Sequence, residues 1–146
     1  MRKPILVLLI LFSMFLVLNM ETSTRQGVNY SWRTLKIPSY LKLLNFIDRH
    51  YNYKNLVKKI TYNVRSDNER VMILFKWTHG NIRNAPKELP VIDDNAWHTI
   101  VRGYGVNDQV SDVFTTLCNY AGMDSFFSWA QEGINDHYLP LSFVKI

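Results

Sequence analysis

Behind Arg2 and Lys3 the chain opens on an uncharged, mostly apolar run from Ile5 to about Met20. That run is short for a membrane span, which needs about 17–25 residues, yet long for a signal-peptide core. No small-x-small cleavage pattern follows it, since Asn19, Met20 and Glu21 stand in that place. The run therefore reads as an uncleaved signal-anchor contacting the membrane through residues 5–20, with a cleaved signal peptide as the alternative. The basic residues ahead of it are expected to stay cytoplasmic. The remainder then lies outside the cytoplasm, either membrane-anchored or secreted after cleavage. Residues 21–37 are polar and mixed, and read as a linker to a domain over residues 38–146.

From Pro38 the spacing turns helical. Tyr40, Leu41, Leu44, Phe46 and Ile47 make one apolar face, and NLVKKITYNV continues as helix with strand as its alternative. Ser66 and Glu69 fit a capping box ahead of a helix that carries Val71, Met72, Leu74, Phe75 and Trp77. Apolar around most of its circumference, this helix is expected to be central and buried. Gly80-Asn81 stops it, and RNAPKELPVIDD reads as a loop. Asp94 or Asn95 can cap a short helix, AWHTIVR, before a turn at Gly103-Tyr104-Gly105.

Val110, Val113, Phe114, Leu117, Cys118 and Ala121 then recur at helical spacing as one buried stripe, with Asn107 at its head and Gly122 as a fitting C-cap. The tail reads as two strands around a Gly133–Asp136 turn. A helical first half with a central buried helix, followed by a short antiparallel sheet, defines an α+β domain behind an N-terminal membrane helix.

Composition narrows the chemistry. At 47% hydrophobic and 14% aromatic, the 146 residues are rich enough for a single packed core. The net charge of +5 is scattered rather than clustered, so a solvated basic surface is expected and nucleic-acid binding is not. Cys118 is the sole cysteine, which excludes an intramolecular disulfide and a cysteine-based metal site. His50, His79, His98 and His137 lack the short spacing of a zinc centre, so neither a metal nor another cofactor is expected.

Two blocks in order, ERVMILFKWTHGNI and GYGVNDQVSDVFTTLCNYAGM, resemble the core of the transglutaminase-like superfamily. Trp77, Asn81, Ile82, Gly103, Gly105, Asp108, Phe114, Leu117 and Gly122 carry the likeness, which covers roughly residues 55 to 146. The resemblance implies a cysteine-protease/transglutaminase-like core and a Cys-His-Asp triad. In such a triad the cysteine opens a helix whose N-terminus favours the thiolate, and the histidine takes its proton. Here the cysteine position holds Asn107, and His137 best matches the histidine as a relic base. The acid falls one strand later than Ile146, so the domain reads as truncated at that end.

Trp77, Gly103, Tyr104, Gly105 and Asp108 are the candidate binding residues. A carboxamide is no nucleophile at neutral pH, and asparagine is among the best N-caps, so Asn107 is also expected as a helix cap. Cys118 lies about 16 Å further along the helix and is expected in the core. The expected function is an exported or membrane-anchored transglutaminase-like module without thiol acyl transfer, binding a peptide or protein partner. The alternative is a hydrolase or transferase of different chemistry using His137, with Asn107 and Asp108, in the same cleft.

Overall fold

The computed structural model describes residues 2–29, 31–93, 95–132 and 137–146, without the side chains of residues 2, 3, 93, 132 and 137. The expected Gly133–Asp136 turn thus lies outside the described residues. The order is α1 (Arg2–Asn19), β1 (Glu21–Val28), β2 (Ser31–Pro38), α2 (Ser39–Ile60), α3 (Asp67–Asn81), β3 (Arg83–Asn84), β4 (Ile92–Asp93), α4 (Ala96–Arg102), β5 (Tyr104–Gly105), α5 (Asn107–Tyr120), β6 (Ser125–Glu132) and β7 (His137–Val144). Its secondary structure is mixed: β1 pairs antiparallel with β2 and β4, β3 runs parallel to β5, and β6–β7 is an antiparallel hairpin.

The N-terminal segment differs from expectation in two ways. No helix among the described residues is long and apolar enough to cross a membrane. The signal-anchor and transmembrane helix expected over residues 5–20 is thereby overturned. The helix stops at Asn19 and the chain enters β1 at Glu21. From Ile5 to Leu18 it rises only about 21 Å at 1.5 Å per residue, against a hydrocarbon core of about 30 Å. Residues 21–37, expected as a linker, form the β1–β2 hairpin, with Glu21 opposite Pro38 and Val28 opposite Ser31. Asn29 takes a left-handed φ of 49° at its turn, which asparagine tolerates. Ser39, the first residue of α2, closes the base of the hairpin by donating both its amide and its hydroxyl to the Met20 carbonyl, at 2.9 and 2.8 Å.

The two helical patterns after Pro38 merge into one 22-residue helix, α2, because no glycine or proline interrupts them. Only its second half reaches the core, through Tyr53 and Val57, while Tyr40, Leu41, Leu44, Phe46 and Ile47 stay exposed. Ser66 stands at the N-cap of α3, but its hydroxyl makes no capping bond. The expected centrality of α3 is corrected as well: Leu74 and Thr78 are buried, whereas Met72 and Phe75 are 53% and 50% exposed.

The central helix is α5. Val113, Leu117 and Cys118 are completely buried on its one apolar stripe. It packs on α2, α3 and α4 on one side and on β6–β7 on the other. Phe75 of α3 meets Phe114 of α5 edge to face, at 5.8 Å between centroids. Tyr53 of α2 stacks on Tyr120 at 4.8 Å and meets Trp97 of α4 edge-on at 5.3 Å.

On the sheet side, Thr115 Oγ1 donates to Ser142 Oγ at 2.9 Å, and Ser142 Oγ to the Ser111 carbonyl at 3.1 Å. These polar bridges fix how β7 sits along α5. The helix ends in a Schellman motif. Gly122, at φ 88°, donates to Asn119 O, and Met123 donates to Cys118 O while its side chain enters the core.

Candidate functional site

The start of α5 is built by its neighbours. Gly103 ends α4 at φ 73° and donates its amide to Thr99 O at 3.0 Å. Tyr104 and Gly105 then pair with Arg83 and Asn84. Gly105 is required by close approach: a Cβ there lies 2.9 Å from Thr99 Cγ2 and 3.0 Å from Gln109 Oε1. Val106 holds the N-cap position, and Gln109 Oε1 accepts its amide at 3.3 Å. Valine offers no polar atom for the reciprocal bond, so half a capping box is made. Asp108 Oδ1 covers the Gln109 amide at 2.8 Å, and Gln109 Nε2 donates to Ile92 O at 2.6 Å.

Asn107 is therefore not the cap expected of it. It occupies the first helical position, where its backbone is already helical, and its exposed side chain makes no hydrogen bond among the described residues. That side chain borders an open cleft of about 670 Å³. Val110 and Ser111 of α5 form one wall. His79 of α3 with Ile82, Arg83 and Asn84 forms another, and Leu139 and Pro140 of β7 close the rim. An adjoining hollow of about 260 Å³ shares His79, Val110 and Ser111 and adds Phe75, Thr78, Phe114 and Ser142. One end of the joined groove is thus polar and cationic, and the other largely apolar.

The sequence candidates divide around this groove. Asn107 lines it. His137 opens β7 opposite Glu132, two residues ahead of Leu139, and its side chain lies outside the described residues. Trp77, Gly103, Tyr104, Gly105 and Asp108 do not line it; they build its frame. The Trp77 carbonyl accepts from Asn81 Nδ2 at 2.7 Å, and the Tyr104 ring lies 5.6 Å from the Arg102 guanidinium carbon. Asp112 is exposed on α5 outside the groove, and partial desolvation and then Asp108 push its carboxyl pKa up.

Cys118 is not an available nucleophile. It is wholly buried, and burial pushes its pKa up to about 12. The thiolate is the reactive form, so this sulfur is inert near neutrality.

His79, Arg83, Ser111 and Phe75 escaped the sequence reasoning. Phe75 and His79 do share one helix face at i, i+4 spacing, with rings 6.2 Å apart. Nothing in the sequence indicates that this face borders the start of α5.

No known family profile matches the chain, and no curated protein matches it. Among solved structures it is similar to a candidate protease from Parabacteroides distasonis, at 14% identity and a TM-score of 0.47. The match covers 82% of this chain and 31% of that one, so the chain spans under a third of that protein's length.

Proposed function

We propose that this chain is a transglutaminase-like domain without thiol chemistry, whose cleft at the start of α5 binds a peptide or protein partner. One observation carries the reading. Asn107, which the resemblance sets at the nucleophile position, lines a peptide-sized cleft with Leu139 and Pro140 of β7. The sole thiol is sealed in the core with a pKa of about 12. The cleft volume falls in the range of about 300–1,000 Å³ usual for ligand sites. A carboxamide there can hydrogen-bond a peptide group but cannot form an acyl-enzyme.

The test is ammonia release from a glutamine-containing peptide in the presence of a primary amine. No release is expected. Release that disappears in Asn107→Ala sinks the proposal.

A second reading, hydrolysis by different chemistry, is favoured by His79. This histidine borders the same cleft as Asn107 and Ser111, so a proton acceptor is at hand. For localisation, the end of α1 at Asn19 trims the uncharged apolar stretch expected to reach Met20 to Ile5–Leu18, which then falls within the roughly 7–15 residues of a signal-peptide core. We propose export with removal of this stretch, tested by N-terminal sequencing of the exported protein. A mature chain still beginning at Met1 counts against it.

A further inference from the structure

We infer that the groove recognises the C-terminal end of a peptide: a free α-carboxylate at its cationic end and a large apolar last side chain at its other end. The inference rests on the cleft being a ligand groove, as proposed above, and names what it takes.

The charge of the lining comes first. Among the described residues, His79 and Arg83 are the titratable ones of the larger hollow, and no acidic one lines either hollow. Arg83 makes no ion pair among the described residues, whose pairs are Lys36–Glu21 and Arg70–Asp67. Its backbone is nonetheless fixed: Arg83 pairs with Tyr104 across β3–β5, and its amide donates to Gly103 O at 2.9 Å. A guanidinium on a rigid strand, open to a cleft, is suited to a bidentate carboxylate contact. Asn84 and Asn107 add amide groups beside it.

The apolar end makes the ligand an amphiphile. Phe75 is 50% exposed although it meets Phe114 edge to face, and with Val110 these rings line the smaller hollow. An aliphatic or aromatic side chain seated there covers apolar surface that water now wets. Pro140 lies on the rim opposite Trp129 in the hairpin. Lacking an N–H, it cannot donate to the ladder and removes a donor from the open edge of β7. A peptide adding as a further strand is disfavoured there, whereas a peptide entering by its end is not.

The experiment is fluorescence anisotropy on the full chain with a fluorescein-labelled Gly-Ser octapeptide ending in Phe. It is compared with the same peptide as its C-terminal amide and with one ending in Ser. Each change is expected to weaken binding at least about tenfold, the scale of losing one hydrogen-bonded charge or one buried side chain. Arg83→Gln is expected to abolish the acid-over-amide preference, and Phe75→Ser the Phe-over-Ser preference. Both residues are exposed; Phe75→Ser also gives up the ring contact with Phe114, so its retained binding of the Ser-ended peptide is the check that the variant is folded.

Acid and amide binding within twofold overturn the inference while leaving a peptide groove. So does a preference that survives Arg83→Gln. Laurate displacing the labelled peptide more effectively than unlabelled free-acid peptide overturns it in favour of a fatty acid. No peptide binding up to about 1 mM removes the groove itself, and with it the binding function proposed above.

Discussion

The contrast between a sealed thiol and an open helix start can be measured in one chain. The perturbation is Asn107→Cys. It installs a thiol on an exposed side chain at the first position of a 14-residue helix, where the dipole and free amides lower a thiol pKa below its usual value of about 8.5. Even at 8.5, about 9% is thiolate at pH 7.5. Cys118, pushed up to about 12 by burial, is only about 0.003% thiolate at that pH.

Thiolate content alone thus gives a ratio of roughly 3,000 in alkylation rate. The burial of Cys118 at 0% exposure widens it further. The assay is iodoacetamide labelling of native protein at pH 7.5, with the two cysteine peptides followed separately by mass spectrometry. Wild-type chain should label only in denaturant, and the variant should label natively at position 107. Rates within tenfold of each other mean either that the α5 N-terminus is covered or that Cys118 is not sealed, and the site geometry described above fails.

Three further outcomes follow from the same structure. The folded chain keeps the Cys118 proton to about pH 12, whereas an unfolded thiol releases it near 8.5. Above pH 8.5 the folded state therefore binds more protons, and stability falls by up to about 1.4 kcal/mol per pH unit. Burial raises the Tyr53 phenol in the same direction, so the signature is a shallower decline in Cys118→Ala than in wild type between pH 8 and 10.5. Equal slopes contradict it.

Gly105→Ala drives a methyl against Thr99 and Gln109 and should cost about 1–3 kcal/mol. Gly122→Ala meets nothing within 4 Å but sits at φ 88°, so its cost is conformational, about 1 kcal/mol. Urea midpoints in the reverse order refute the steric assignment. Finally, any peptide hydrolysis found in the cleft should drop at least about a hundredfold in His79→Ala. An unchanged rate there, with loss in His137→Ala instead, returns the base to β7.

Much of the secondary structure was legible before any coordinates. The stripe Val110–Ala121, Gly122 at its end and Asn95 capping α4 through the His98 amide at 3.3 Å all rest on contacts within a few residues. The site was legible only at Asn107. Its position one turn ahead of Val110 follows from helical period. Its failure to cap does not, because that depends on Gln109 reaching both Val106 and Ile92, the latter 17 residues away.

Local chemistry in the chain thus sufficed for the buried face of α5, the glycine-ended helices and the placing of the sole thiol in the core. Three things needed the folded molecule. Apolar content marked α3 as central, but burial depends on what covers a helix, and α5 took that place because helices and the β6–β7 hairpin cover both of its sides. The 5–20 run looked like a span until its helical end at Asn19 limited its rise. And His79, Arg83 and Asn107, remote in the chain, border one cleft only because β3 pairs with β5 beside the start of α5. Periodicity reports which face of an element is apolar; only packing reports what that face meets.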